Sequence, residues 1–360
     1  MKFVGVVKSG LSYVFFNRTA LEEFEFGSLP PNRPKFITKV NSSSMAVCLW
    51  VSPKRTRSYP YARVYDILTQ NVSKKVSIIP IVKDEGIEGD RDFLQWDTVS
   101  LMSLLNVYVI PAYYCYAEKV GNKLKNQRFD WSYIRNKLIE LSYYHHTALH
   151  WNLKELEKEN LTNLIEKVIE CYSKLSKSLG VKMHSEKGLE DFKRLIYEGV
   201  ENFKLNSRLK AMSAQNREVN TSQPKEFVKM GHKAKIDIEN YLGGIYHLTI
   251  DEYEYRDGIF YLYECKHAKN SLLPSVEDIK DGLIKIMLLK SIDELYVDGK
   301  PAHFKPAIKL TSSKHLSKSL MDIINSLRNG KRKNFFLNLL KEAKYNNFEV
   351  AYYGSDNISP

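Results

Sequence analysis

Cysteine is scarce in this sequence, and the few cysteines stand far apart. The 360 residues contain four, Cys48, Cys115, Cys171 and Cys265, and no two of them have Cys-x-x-Cys spacing. This spacing excludes a disulfide framework and a zinc ribbon as the basis of the fold. We therefore expect four reduced thiols, most of them buried.

Long apolar runs and an N-terminal export signal are also lacking. No apolar run approaches the roughly 18 residues that span a bilayer. The first residues are interrupted by Lys8 and show neither the apolar segment nor the cleavage site of a signal peptide. Glycine and proline, at 17 and 12 residues, are too few for a collagen-like or low-complexity chain. With 43% hydrophobic and 27% charged residues, the composition predicts a soluble globular protein of the cytoplasm.

Acidic residues are outnumbered, which points to a polyanionic partner. The chain has 54 Lys and Arg against 42 Asp and Glu, a net charge of +12. The excess is uneven, with 12 basic and 4 acidic residues in 1–75 and 11 basic and 2 acidic residues in 300–344. Because neutralised phosphates drive nucleic-acid affinity, this distribution predicts a DNA-binding surface. A generally basic composition without such a partner is the alternative.

Two basic segments are candidates for phosphate contacts. The first lies in a proline-containing segment that also has two tyrosines, and the second in a predicted turn between two helices. The predicted DNA-binding residues are Lys54, Arg55, Arg57 and Arg63 in the first segment and Lys331, Arg332 and Lys333 in the second. An acid-rich loop at 83–97 could read cytosine amino groups, or its charges could be solvated or paired with the first basic segment.

The chain divides in a stretch that has little apolar content. Residues 206–227 are rich in Asn, Ser, Gln and Thr and predict a linker or loop. We expect an N-terminal region, 1–205, of mixed strands and helices that supplies DNA recognition and dimer contacts. Strand and helix patterns alternate after residue 235 and predict an α/β (α+β) core in 206–360.

A carboxylate and an ammonium group share one face of a predicted strand in this core. Residues 259–266 form an aromatic and aliphatic strand that ends in Glu264-Cys265-Lys266. The strand period of two places Glu264 and Lys266 on one face and Cys265 on the other. An ordinary ion pair on a strand is the alternative interpretation.

A second carboxylate is expected opposite the first. Asp257-Gly258 predicts a two-residue hairpin turn, and the register that follows from this turn places Asp251 directly opposite Glu264. Two carboxylates at one point repel each other unless a divalent cation lies between them, and oxygen ligands suit Mg²⁺. Asp237, 27 residues before Glu264, is the rival aspartate.

The hairpin with Asp251 and Glu264-Cys265-Lys266, followed by a helix predicted for 275–291, resembles the motif of PD-(D/E)XK nucleases. With its basic surroundings, it is most similar to type II restriction endonucleases. The similarity covers about residues 235–290. It departs at Ile250, where the family often has proline before its aspartate. The resemblance implies a mixed sheet flanked by helices.

The resemblance also implies the parts of an active site. Asp251, Glu264 and the backbone carbonyl of Cys265 would hold Mg²⁺, and Lys266 would position the attacking water. The helix after the motif could direct Lys280 or Lys285 to a phosphate.

The expected activity is site-specific cleavage of double-stranded DNA by a homodimer, with a companion DNA methyltransferase acting on the same site. Two further functions stay open at this point. One is a structure-specific or repair nuclease with the same core, and the other is a basic DNA-binding protein without enzymatic activity.

Overall fold

The computed structural model describes residues 1–29, 33–53, 60–198, 232–314 and 319–353, with single positions between 202 and 216. Within these residues the chain is a mixed α/β protein with sixteen strands and nine α-helices. The predicted α/β class is therefore confirmed at this level. None of the helices in the described part is long and apolar enough to cross a membrane.

The strands are, in chain order, β1 (Lys2–Val7), β2 (Glu23–Glu25), β3 (Lys35–Val40), β4 (Ser43–Leu49), β5 (Lys74–Pro80), β6 (Val82–Asp84), β7 (Arg91–Phe93), β8 (Tyr108–Ala112), β9 (Tyr114–Val120), β10 (Lys123–Phe129), β11 (His232–Asn240), β12 (Ile245–Arg256), β13 (Ile259–Ala268), β14 (Glu294–Val297), β15 (Lys300–Ser312) and β16 (Glu349–Tyr353). The α-helices are α1 (Pro60–Leu68), α2 (Trp96–Leu104), α3 (Trp131–Ser142), α4 (Ala148–Glu155), α5 (Lys158–Leu179), α6 (Lys187–Tyr197), α7 (Val276–Lys290), α8 (Leu320–Ser326) and α9 (Gly330–Asn346).

The chain forms two compact units, and their boundaries differ from the predicted ones. One unit is Ala20–Leu209, and the other joins Met1–Thr19 to Lys210–Pro360. Residues 1–19, which we expected in the N-terminal region, group with residues 210–360 in the structure. Strand β1 pairs in parallel with β11, with Lys2 opposite Lys235, and antiparallel with β14. A six-residue strand carries no local signal for its partner, so this placement depends on contacts distant in sequence.

The Ala20–Leu209 unit contains a five-stranded sheet in the order β2-β3-β4-β5-β8. Its buried core includes Phe36 and Ile78 from the sheet and Trp151 from α4. Asp130 accepts hydrogen bonds from two backbone N–H groups at the start of α3 and caps that helix. Helix α2 begins at Trp96, and Asp97 lies in its first turn.

The other unit contains a seven-stranded mixed sheet in the order β13-β12-β11-β1-β14-β15-β16, in which β13 also pairs with β15. Strands β12 and β13 form the predicted hairpin, with Arg256 opposite Ile259 and the turn at Asp257-Gly258. Both turn residues have positive φ, at 53° and 80°, as a tight hairpin turn requires.

Helix α7 follows the hairpin and buries an apolar face. Ser275 caps it by accepting a hydrogen bond from the backbone N–H of Asp278, and Ile279, Leu283 and Ile286 are fully buried. The chain then forms β14 and enters β15, which runs parallel to β13 with Ile308 opposite Glu264. This arrangement puts one helix beside the strand that carries the predicted motif.

Candidate active site

The hairpin brings Asp251 to the strand that carries Glu264. The Oδ2 atom of Asp251 accepts a hydrogen bond from the backbone N–H of Cys265 at 2.9 Å. Strand β12 contains a bulge here, because two residues, Asp251 and Glu252, lie between the partners of His232 and Ala234, which are separated by one residue on β11. Bulges of this kind redirect side chains, and they are frequent beside active sites.

Glu264 is buried, and each of its carboxylate oxygens faces a lysine. The Nζ atom of Lys266 lies 3.0 Å from Oε1, and the Nζ atom of Lys285 lies 3.0 Å from Oε2. Lys266 also lies 3.5 Å from Oδ2 of Asp281. Asp281 and Lys285 are four residues apart on α7, so they share the helix face that meets the strand.

Gly282 allows this close approach of the helix. A Cβ atom at this position would lie 2.7 Å from Cε of Lys266 and 3.2 Å from Cγ of Glu264. Any larger residue must therefore move the site side chains or the helix.

The carboxyl groups of the site differ in their ionisation. Burial, together with the charge of Glu264, raises the pKa of Asp251 to about 7. Burial opposes ionisation of Glu264 as well, but the ammonium groups of Lys285 and Lys266 hold its pKa below the usual range. Burial also raises the pKa of Asp281. Among the described residues, no lysine, arginine or histidine lies within ion-pair distance of Asp251.

The donor atoms at this point suit a hard cation. Mg²⁺ in proteins is commonly held by one or two carboxylates, with water and substrate oxygens completing its coordination. Asp251 and Glu264 supply two carboxylates, and the backbone carbonyl of Cys265 is the third predicted donor. A cation would offset the charge of the half-buried Asp251, which has no ion-pair partner among the described residues. In the described parts of the chain, no group of three or more His, Cys, Asp and Glu side chains is arranged to hold a metal ion.

The rival aspartate lies elsewhere. Asp237 has Oδ1 at 2.7 Å from Nδ1 of His247 and Oδ2 at 3.2 Å from Nζ of Lys2. His247 is four residues before Asp251 on β12, about 13 Å along the strand. The structure thus brings Asp251, and not Asp237, to Glu264.

Sequence reasoning missed Asp281 and the position of Lys285. We expected Lys280 or Lys285 to face a phosphate, but Lys285 contacts Glu264, and Lys280 is buried and pairs with Glu277. A signal was present. Asp281 and Lys285 are a polar pair at helical spacing within the largely apolar helix that follows the motif.

The first basic segment is only partly described. Lys54, Arg55 and Arg57 lie outside the described residues. Arg63 lies on α1, where its guanidinium group donates a hydrogen bond to the backbone carbonyl of Leu49.

The second basic segment is not the predicted turn. Lys331, Arg332 and Lys333 form the first turn of α9, because the side chain of Asn329 accepts a hydrogen bond from the Arg332 backbone N–H and caps the helix. The guanidinium group of Arg332 donates to the carbonyls of Leu273 and Pro274, at 2.6 and 3.0 Å. Arg332 thus braces the segment before α7, whereas Lys331 is exposed.

Two acidic residues of the acid-rich loop, Asp84 and Glu85, have basic partners among the described residues. Asp84 lies 2.7 Å from Nδ1 of His184. Glu85 lies 2.9 Å from Nζ of Lys83 and 2.6 Å from Nζ of Lys125. These basic partners, His184, Lys83 and Lys125, do not belong to the first basic segment.

No protein-family model, curated protein or solved structure matches this chain. The function has to be argued from the chemistry of the site itself.

Proposed function

We propose that this protein is a Mg²⁺-dependent DNA endonuclease with a PD-(D/E)XK-like core in residues 210–360, and that it cuts specific sites as type II restriction enzymes do. One observation carries the proposal. Asp251 and Glu264 converge at one point of a hairpin, and Lys266 lies 3.0 Å from Glu264. The crossover through α7 to a strand parallel to β13 supports the mixed sheet that this class requires.

A purely structural ion pair explains the site less well. Two lysines suffice to neutralise Glu264, but Asp251 is half-buried beside it with no basic partner among the described residues. A buried carboxylate without a partner charge is costly, and such groups concentrate at functional sites. The position of Asp251 therefore favours a role in binding or catalysis.

Hydrolysis forms a bond from a water oxygen to phosphorus and breaks a phosphorus–oxygen ester bond. The attacking water gives up a proton to the surrounding solvent, and the leaving oxygen takes one up from it. Bound Mg²⁺ would supply positive charge that stabilises the transition state. Asp251 and Glu264 would hold the ion. Although burial opposes it, the charge of Glu264 raises the pKa of Lys266, so the amine stays protonated at neutral pH. Lys266 can therefore orient the water or donate to a phosphate oxygen, but it does not accept the proton.

The surrounding charge supports DNA as the substrate. The net charge is +12, and Lys331 is exposed on the first turn of α9, in the same unit as the site. Cutting both strands of a palindrome requires two sites related by a two-fold axis, so we propose a homodimer. In a cytoplasm that contains the host's own DNA, such an enzyme needs a companion methyltransferase that protects the recognition site.

Digestion of plasmid DNA tests the proposal. The full chain is incubated with plasmid in Mg²⁺ and in EDTA, beside a Glu264→Gln variant that controls for contaminating nuclease. Discrete fragments that need Mg²⁺ and Glu264 support the proposal. Smearing or cutting only at branches would indicate a structure-specific nuclease. Retention in a gel shift without any cleavage would indicate a DNA-binding protein that is not an enzyme.

A further inference from the structure

Glu264 is neutralised by two lysines from two different elements. Lys266 comes from β13 and faces Oε1, and Lys285 comes from α7 and faces Oε2. Both oxygens of a predicted cation ligand are thus occupied by ammonium groups. A divalent cation that binds Glu264 therefore competes with these ammonium groups for the carboxylate, because like charges close to one another repel.

We propose that Lys285 takes the place of the divalent cation in the metal-free protein and leaves Glu264 when the cation binds. Lys285 is then a positioning residue that holds Glu264 in place and lowers the affinity of the site for Mg²⁺. This inference rests on the proposed function, because the cation is the one that the nuclease needs.

The geometry distinguishes the two lysines. Lys266 lies between two carboxylates, with Asp281 at 3.5 Å on its other side, and it keeps that partner when Glu264 turns towards a cation. Lys285 is the more exposed of the two, with 25% of its side chain accessible against 16% for Lys266. Its four-carbon stem can move the ammonium group towards solvent at low cost. The ion pair between Lys285 and Glu264 is therefore the one that opens.

Charge balance gives the direction of the effect. Among the described residues, the cluster contains three carboxylates, Asp251, Glu264 and Asp281, and two ammonium groups, and these five groups sum to −1 when all are ionised. Removing the charge of Lys285 makes this −2 and frees Oε2 of Glu264. Because the affinity of hard divalent cations follows the charge count of the site, removal should tighten Mg²⁺ binding.

Isothermal titration of Mg²⁺ into the full chain without DNA measures this affinity directly. We expect Lys285→Met to bind Mg²⁺ at least about tenfold more tightly than the unchanged protein. Lys285→Arg, which keeps the positive charge, should stay within about threefold of it. Lys290→Met is the matched control: it removes a lysine from the same helix, but Lys290 contacts the backbone carbonyl of Ser12 and not Glu264. It should leave the affinity unchanged.

Equal or weaker Mg²⁺ binding by Lys285→Met would overturn the inference, as would a similar gain in Lys290→Met. Circular dichroism checks that the variants are folded, and Lys285→Gln replaces the methionine variant if that one is not. The titration is independent of cleavage. Tighter binding by a protein that cuts no DNA would support this inference while the proposed function fails, and no Mg²⁺ binding by any variant would overturn it whatever the cleavage result.

Discussion

The carboxylate of Asp251 accepts a hydrogen bond from the backbone N–H of Cys265 at 2.9 Å, across 14 residues of sequence. Cys265 stands between Glu264 and Lys266, so this bond ties the aspartate to the strand segment that bears both. Asp237 instead pairs with His247 and Lys2. The two aspartates therefore have different roles, and exchanging each for asparagine should separate them.

We expect Asp251→Asn to lose Mg²⁺-dependent cleavage by at least about a hundredfold, since it removes a charged ligand and leaves the shape intact. Asp237→Asn should retain most activity and lose stability, because it breaks a half-buried pair with His247. Cleavage rates and urea unfolding midpoints of both variants check this. If the activities come out in the reverse order with both variants folded, Asp237 is the ligand.

The hairpin was predictable because its register depends on local chemistry. Asp257 and Gly258 both adopt positive φ, which these residue types tolerate, and a two-residue turn leaves one register. Asp251 could be placed opposite Glu264 from that alone. The contribution of α7 could not be predicted in this way. Asp281 and Lys285 approach β13 because the helix packs close to the strand at Gly282, which has no side chain.

The basic segment at 329–334 shows how one pattern allows two structures. Asn329-Gly330 is typical of a turn, but asparagine is also a favourable N-cap, and the structure uses it to begin α9. Strand β1 lies between β11 and β14, although it comes from the N-terminal end of the chain and its two partners come from the C-terminal part. The Asn329 cap is one of two local structures that the same residues allow, whereas the position of β1 depends on contacts distant in sequence, which periodicity does not encode.

Glu264 and Lys266 should be indispensable for cleavage but not for binding. Glu264→Gln and Lys266→Ala are each expected to reduce cleavage by at least about a hundredfold, since one removes a ligand and the other a positive charge at the reacting phosphate. Binding to DNA in Ca²⁺ should survive in a gel shift. Lys269→Ala, which removes an exposed lysine just beyond β13, is the control. Full activity in either site variant would contradict the assignment.

Gly282→Ala should separate activity from stability. The added Cβ would meet Cε of Lys266 at 2.7 Å, and the lysine can move aside because its end is flexible. Alanine also favours the helix, so the free energy of unfolding should change by less than about 1 kcal/mol. Displacement of Lys266 should lower cleavage at least about tenfold. Gly330→Ala, where the added Cβ meets no atom within 4 Å, should leave cleavage unchanged. A fully active Gly282→Ala would show that the close approach is not needed.

Stability of the metal-free protein should fall as the pH rises towards neutrality. The pKa of Asp251 is about 7 in the folded chain and roughly 3.9 when unfolded, so between these values the folded state holds the extra proton. The stabilisation is complete below about pH 4 and is lost as the pH rises through 7, by up to about 1.4 kcal/mol per pH unit. Urea unfolding in EDTA at pH 5 and pH 8 measures the change, and Asp251→Asn should reduce it. If the free energy of unfolding changes equally between pH 5 and pH 8 in the unchanged protein and in Asp251→Asn, Asp251 does not titrate in this range.

Lys54, Arg55 and Arg57 should contribute affinity without sequence preference. If they contact phosphates, replacing all three with alanine weakens binding to specific and random duplexes by similar factors. The slope of log affinity against log salt should flatten by about 0.9 per lost contact, so by at most roughly 3. Contacts to guanine edges would instead cost about 1–3 kcal/mol each at the specific site only. Alanine at Lys167 and Lys174, two exposed lysines paired with Glu170 on α5, controls for the loss of charge. If the triple variant has the same DNA affinity and the same slope of log affinity against log salt as the unchanged protein, this segment does not bind DNA.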